Sequence, residues 1–424
     1  MKSSLAISSN APPRARERRG LLDRFSREAV SRSLRKLRRG RLRLVDGGQS
    51  FTFGPAVDDS GLSASVRIHD PAAYRAVATR GTIGAGESYM EGSWSADDLP
   101  TLIRILLLSD EAHFGLESGL ARLAYPFELL SHVTRRNTRA GSRKNIAAHY
   151  DLGNDFYRLF LDETLAYSAA IFETEGSTLR EASEAKFDAV CRKLRLSPGD
   201  HLLEIGTGWG GLAIHAAEKY GCRVTTTTIS REQHQLASER VHARGLGDRV
   251  EVAMRDYREL RGSFDKLVSI EMVEAVGHHY FDTFFERCAA LLRPHGAALV
   301  QSITIADQHF ERHRHEVDFI KRYIFPGACI PSVTRLLDAA TRASDLRLFD
   351  LEDITVHYVR TLAQWRRRFH ENLDGIRALG FDDRFIRMWD FYLAYCEAGF
   401  AERYLGDVHL LFVKPEWRDV APRS

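Results

Sequence analysis

The run HLLEIGTGWGG at 201–211 sets glycines where an apolar strand turns into a helix, so backbone can approach a ligand with no Cβ in the way. Gly206, Gly208 and Gly211 also satisfy the G-x-G-x-x-G spacing, which taken alone leaves a dinucleotide open. Two neighbouring features favour an adenosyl methyl donor. The next strand, Val224-Thr225-Thr226-Thr227-Thr228-Ile229-Ser230, ends without the carboxylate that usually grips a dinucleotide ribose. After the third strand, Asp256-Tyr257 offers a carboxylate and a ring for an adenine amine and its face. The plain alternative is a tight turn followed by a polar strand end. The candidate cofactor site is therefore Glu204, Gly206, Thr207, Gly208, Trp209 and Gly210 with Asp256 and Tyr257, and the expected cofactor is S-adenosylmethionine.

Five cysteines, Cys191, Cys222, Cys288, Cys329 and Cys396, are scattered without a CxxC pair or metal-ligand spacing, so no metal site is expected and a reducing compartment is. Taken without a motif, Tyr150, Tyr167, Phe172, Tyr323 and Tyr358 would be core more often than site residues, as most aromatics in any chain are.

The elements that must position these residues follow from patterning. From 145 onward, apolar strands alternate with amphipathic helices: strands at 202–205, 224–229, 264–270 and 297–303, helices at 212–220, 231–244 and 281–292. This predicts an α/β fold, a mostly parallel sheet with helices on both faces, which binds ligands at the carboxyl ends of its strands. Upstream, Gly47-Gly48, Gly54-Pro55 and Gly61 punctuate short strand-like runs, and helical spacing covers 71–80 and 99–108. The expected organisation is a basic, flexible arm over 1–43, a small N-terminal α+β domain over 44–132, a linker over 133–144 and the catalytic domain over 145–424.

Net charge is only +3, but residues 14–43 hold thirteen Lys or Arg against three acids. Such a segment suits anionic headgroups or nucleic acid, or is simply a solvated arm. No signal peptide is apparent, and the most apolar stretch, 99–109, is interrupted by Arg104 and falls short of the roughly 20 residues a span needs. Membrane contact is therefore expected to be peripheral, on the inner face, in a cytoplasmic protein.

Several ordered segments resemble the cyclopropane-fatty-acyl-phospholipid synthase family. His149-Tyr150-Asp151-Leu152-Gly153-Asn154 is similar to its HYDLGN segment, Tyr167-Ser168 to its YS step, LEIGTGWGGLA to its cofactor loop, and Thr228-Ile229-Ser230 with Gln233 to its next binding segment. SIEMVEAVG at 269–277, Tyr323-Ile324-Phe325-Pro326-Gly327 and Pro331-Ser332 continue the series, and GESYMEG at 86–92 with Trp94 resembles its small-domain signature. The resemblance implies a class I methyltransferase fold that acts on the cis double bond of an unsaturated acyl chain in a membrane phospholipid, with Tyr150, Tyr167, Ser168, Thr228, Ile229, Ser230 and Gln233 joining the cofactor site. It further implies a carbocation that the rings of Tyr150, Tyr167, Phe172, Tyr323 and Tyr358 are candidates to face, a bound bicarbonate that removes the proton needed for ring closure, Glu274 and Tyr358 at positions that help hold it, and Cys396 at a position long regarded as part of the active site. A homodimer is expected, and no nucleic-acid partner.

The chain departs from the family around that base. YSCAY becomes Tyr167-Ser168-Ala169-Ala170-Ile171, LLHTI becomes Leu299-Val300-Gln301-Ser302-Ile303, and EHVG becomes Glu274-Ala275-Val276-Gly277. Alanine removes a polar contact, and glutamine keeps donor and acceptor atoms but cannot titrate near neutral pH. The expectation is methyl transfer to the acyl chain, with either ring closure or a methylene- or methyl-branched product that a partner reductase would saturate. The rival readings are a methyltransferase for a small polar nucleophile on the same fold, a non-catalytic lipid-binding protein, and a nucleic-acid methyltransferase using the basic arm.

Overall fold

A computed structural model describes residues 21–109 and 152–418. The chain divides into two compact units, one formed by 1–130 with 373–402 and the other by 131–372 with 403–424.

In the first unit, helix α1 (Leu21–Leu34) precedes strands β1 (Arg41–Asp46), β2 (Gln49–Phe53) and β3 (Ser63–Ile68), helix α2 (Ala72–Met90), strand β4 (Trp94–Ala96) and helix α3 (Leu99–Leu107). The sheet runs β2-β1-β3-β4, with β1 antiparallel to β2 across Gly47-Gly48 and parallel to β3. Both hairpin glycines have positive φ, 57° and 85°, the backbone that a two-residue turn between right-twisted strands requires. Helix α2 outruns its predicted end at Arg80 because it is two helical pieces kinked at Gly81 (φ 55°, ψ −132°). At Gly84 a Cβ would lie 1.9 Å from the Ala76 carbonyl oxygen, so glycine is obligatory beside that kink.

Two expectations change here. Residues 21–43 are no arm: α1 packs on α2, and Val30, Leu34, Leu37 and Leu42 are buried. The charge density hid an apolar stripe; Arg27 and Arg75 are held by Asp46 and Asp23 at 3.2 and 2.9 Å. The stretch 145–424 is also not one compact unit, because 373–402 folds with the N-terminal residues. Its long helix, Asp383–Ala401, packs on α2 and α3. Tyr89 of the GESYMEG segment donates to Asp390 at 2.6 Å, and Arg104 meets Glu402 at 2.5 Å.

In the second unit the helices are α4 (Asn154–Arg158), α5 (Leu179–Leu194), α6 (Gly211–Tyr220), α7 (Arg231–Ala243), α8 (Phe281–Leu291), α9 (Asp307–His313), α10 (Phe319–Tyr323), α11 (Val333–Ala343) and α12 (Thr355–Glu371). The strands are β5 (His201–Ile205), β6 (Arg223–Thr228), β7 (Val250–Met254), β8 (Phe264–Ile270), β9 (Leu292–Ile305), β10 (Arg347–Asp353) and β11 (Leu405–Val413), in sheet order β10-β11-β9-β8-β5-β6-β7. Strands β5 to β9 are mutually parallel, and β11 runs antiparallel to both neighbours. Adjacent strand residues serve opposite faces. Leu203, Leu267, Val300 and Leu410 pack with Phe284 and Phe285 of α8, whereas Leu202, Val268, Leu299 and Leu411 pack with Val190 of α5 and Ala216 of α6.

Strand β9 begins five residues before the predicted position. Its ladder with β8 breaks between the Phe264↔Leu292 and Lys266↔Ala297 pairs, and Pro294, which has no N–H to give, sits in that irregularity. The order reverses between β5 and β8, the position at which such sheets open a ligand crevice.

Truncating Leu34 to alanine is expected to destabilise the first unit by about 2–4 kcal/mol. Arg32→Ala on the exposed side of α1 should shift it by no more than about 0.5 kcal/mol. Urea unfolding checks this, and equal, negligible effects would return 21–43 to a flexible arm.

Candidate active site

The glycine loop leaves β5 at the crevice. Gly206, Gly208 and Gly210 have φ of 105°, 51° and 83°, so the turn is written in conformations that side-chain-bearing residues avoid. A Cβ on Gly211 would come within 2.9 Å of the Thr164 carbonyl, whereas around Gly208 nothing lies within 4 Å, leaving open space over the backbone. The loop is pinned to β6, with the Gly206 and Thr207 N–H groups both donating to the Thr227 carbonyl at 3.0 Å. Thr207 Oγ1 lies 2.7 Å from Thr226 Oγ1, which donates to Glu204 at 2.5 Å. Burial pushes the Glu204 carboxyl up to about 8, against the opposing Thr226 hydrogen bond and the charge of Lys186.

The flanking positions converge on this loop. Trp209 Nε1 donates to Asn154 at 2.7 Å, and its ring lies 4.8 Å from that of Tyr157. Ser230 caps α7 through Gln233 N, and Thr228 donates to Gln233 Oε1 at 2.8 Å, so the Thr228-Ile229-Ser230 turn is rigid. Asp256 is fully buried, but both of its oxygens are taken by the Arg258 guanidinium, at 2.8 and 2.6 Å. Beside it, Tyr257 keeps a buried hydroxyl with no partner among the described residues. An open, backbone-walled turn with a polar rim fits an adenosyl ligand.

A second cluster begins at the residue directly after β8. Glu271 holds φ 46°, a left-handed backbone that a glutamate adopts only under constraint, and its N–H donates to the Gln301 carbonyl at 2.9 Å. Its Oε1 accepts from Ala169 N and Gln301 Nε2, both at 2.8 Å, and its Oε2 accepts from Tyr358 OH at 2.6 Å. Burial raises its pKa against these bonds. The next residue, Met272, is what a Cβ on Gly206 would meet at 3.4 Å, so the acid adjoins the glycine loop. Glu274 accepts from Ser302 Oγ at 2.9 Å and Ile303 N at 2.5 Å, while its Oε2 is buried with no hydrogen-bond partner among the described residues. Burial, then repulsion from Glu271, pushes it up to about 8. Lys186 is buried on α5 and donates to Ser168 at 2.8 Å; burial lowers its pKa, while Glu271, Asp407 and Glu204 pull it back up.

The structure thus brings together Ser168, Glu274, Gln301 and Tyr358 near the loop, with Tyr167 next in chain and packed on Trp365 at 5.2 Å. Tyr323 is half-buried on α10 against Phe319. Cys396 is half-buried in the helix Asp383–Ala401, which belongs to the first unit. Tyr150 lies outside the described residues. Sequence reasoning missed Glu271, Lys186, Asp407 and His409. Glu271 stood inside SIEMVEAVG, and the signal overlooked was a carboxylate between the strand end and Glu274.

Residues 137–410 match the family described as mycolic acid cyclopropane synthetase. The tuberculostearic acid methyltransferase UfaA1 of Mycobacterium tuberculosis is 38% identical over 95% of each chain, and the cyclopropane-fatty-acyl-phospholipid synthase of Escherichia coli K12 is 35% identical over 82% of this chain and 87% of its own. The solved structure of the mycolic acid cyclopropane synthase CmaA1, complexed with SAH and CTAB, superposes with a TM-score of 0.60 at 31% identity, covering 64% of this chain and 98% of that one. With the seven-stranded sheet and the glycine turn in place, the chain belongs to the mycolic acid cyclopropane synthetase family and is an S-adenosylmethionine-dependent methyltransferase.

Proposed function

We propose that this enzyme methylates the cis double bond of an unsaturated acyl chain in membrane phospholipid, and that the resulting cation loses its proton to Glu271 to give a branched, unsaturated chain instead of a cyclopropane. The observation that carries the reading is the Glu271 carboxylate, gripped by Ala169 N–H, Gln301 Nε2 and Tyr358 OH. Family resemblance expects a bicarbonate beside Tyr358 and near 169 and 301; here the chain supplies an anion of its own against those groups. The relative matched over 95% of both chains, named a tuberculostearic acid methyltransferase, also supports methyl transfer without a ring.

S-adenosylmethionine supplies an electrophilic methyl on a sulfonium. The residues around the glycine turn would hold it: Glu204, Thr207, Trp209, Thr228, Ser230 and Gln233, with Tyr167, Ser168 and Tyr257 at the rim. Held there, its methyl would be taken by the alkene π pair, the C–S pair staying with sulfur, and a cation would be left on the neighbouring chain carbon. Rings packed around Tyr167, Trp365 and Tyr358 offer their faces to that charge at about 0.5–2 kcal/mol each. Glu271 accepts the proton, and the C–H pair becomes the new double bond. Tyr358, Gln301 and the Ala169 amide hold the carboxylate still for that transfer, and Lys186 offsets its charge.

The reading extends to partners. Among the described residues no helix is long and apolar enough to cross a membrane. The acceptor would be reached from the inner face, by a homodimer, and the unsaturated product suits a reductase that saturates it.

Four outcomes follow from this reading. Glu271→Gln should lower kcat by about 10²–10⁴-fold, with cofactor affinity from calorimetry unchanged. Removing dissolved bicarbonate should leave the wild-type rate unaltered; a rate that collapses without it and recovers on its addition would sink the built-in base. Gly208→Ala meets no neighbour within 4 Å but must hold the left-handed backbone, so it should cost about 1–2 kcal/mol of stability and still fold, yet lose about tenfold or more in cofactor affinity because its Cβ enters the ligand space. Finally, Glu274 binds its proton more tightly folded than unfolded, so stability should fall as pH rises between 4.5 and about 8, and Glu274→Gln should flatten that slope in thermal melts.

A further inference from the structure

Asp407 has no part in the chemistry above, yet it is the most deeply enclosed acid in this region. It lies on β11, fully buried, with its N–H donating to Thr355 Oγ1 at 3.0 Å. Its Oδ2 accepts from Gln301 Nε2 at 2.9 Å, while its Oδ1 is buried with no hydrogen-bond partner among the described residues. That Gln301 nitrogen is the one that donates to Glu271 Oε1 at 2.8 Å, so two carboxyl groups converge on a single amide, and their side chains meet each other directly. The orientation of the amide is assigned by its other end, where Gln301 Oε1 lies 3.2 Å from His409 Nε2.

Two carboxyls in contact cannot both be ionised in a buried setting, and a hydrogen bond between them needs one proton. The charged and titratable groups facing the pair are Lys186 from α5, which Glu204 from β5 also neighbours, Glu274 beyond β8, Tyr358 from α12 and His409 from β11. Burial pushes His409 down to about 3, so it is neutral and adds no positive charge. Lys186 lends positive charge to both carboxyls, but Glu274 and the pair itself outweigh it, which leaves a surplus of negative charge that bound protons must relieve.

We propose that Asp407 and Glu271 form a proton-sharing carboxyl pair in which Asp407 carries the resting proton and donates it toward Glu271. Glu271 is thereby kept ionised and aimed at the substrate, and Asp407 is a positioning residue. On turnover, the proton leaving the chain goes to Glu271, the pair becomes doubly protonated and neutral, and release of one proton to solvent restores the single shared one. This rests on the assignment of Glu271 as base.

The test reads the proton itself. Infrared spectra of the full-length enzyme, with aspartate carboxyls labelled by carbon-13, should show at neutral pH a protonated-carboxyl band that is absent from Asp407→Asn and displaced in Glu271→Gln. An Asp407 that is ionised at neutral pH, or a band indifferent to Glu271→Gln, would overturn the pair. Kinetics supply the second readout. Asp407→Asn, which keeps a donor, should lower kcat by no more than about tenfold. Asp407→Leu, which leaves Glu271 without its donor, should lower it by about 100-fold or more at unchanged KM. Equal losses in both variants would reduce Asp407 to a packing role. Failure of the base assignment is told apart by bicarbonate dependence in the wild type, which the aspartate band does not report.

Discussion

The Glu271 carboxylate ties three distant stretches of the second unit to the end of β8. The 165–172 loop reaches it through Ala169 N, β9 through Gln301 and α12 through Tyr358. Its own backbone is left-handed, a conformation worth about 1–3 kcal/mol of strain that those bonds must offset. Because Met272 follows it against Gly206, the geometry that orients the acid also shapes the floor of the cofactor turn. The position of the base relative to the transferred methyl decides which proton leaves, and so which product forms.

Charge balance explains the surroundings. Glu204, Glu271, Glu274 and Asp407 are gathered where burial disfavours ionisation, with Lys186 as the nearby cation. Acids whose proton affinity is raised by burial would suit the proposed chemistry, in which the site accepts a proton beside a carbocation and releases it again. A fully solvated carboxylate would be too weak a base and would admit water to the cation.

Much of the second unit was legible in the sequence, because period and glycine chemistry are local. Strands β5, β6 and β8 and helices α6 to α8 fall within a residue or so of where apolar runs placed them, and the positive-φ turn sits at the predicted glycines. The acid cluster was only half legible. Gln301 and Ala169 stood out as departures from a motif, but the carboxylate that answers them, Glu271, is 30 and 102 residues away from them. Asp407 is 106 residues beyond Gln301, on a strand whose pairing with β9 no local pattern announces. Lys186 reads as one more cation on an amphipathic helix until its burial is seen.

The first unit was read less well, for the same reason. Thirteen basic residues over 14–43 masked the buried Val30, Leu34 and Leu37, and the return of 373–402 to the N-terminal fold depends on Tyr89 meeting Asp390, partners 301 residues apart. The central claim concerns the fate of the cation. The most direct measurement is carbon-13 NMR of the acyl chain after the purified enzyme has acted on phospholipid vesicles with a single cis double bond and S-adenosylmethionine labelled at the methyl carbon. The account predicts label in a methyl or methylene branch on an unsaturated chain; label found solely in a cyclopropane ring would contradict it.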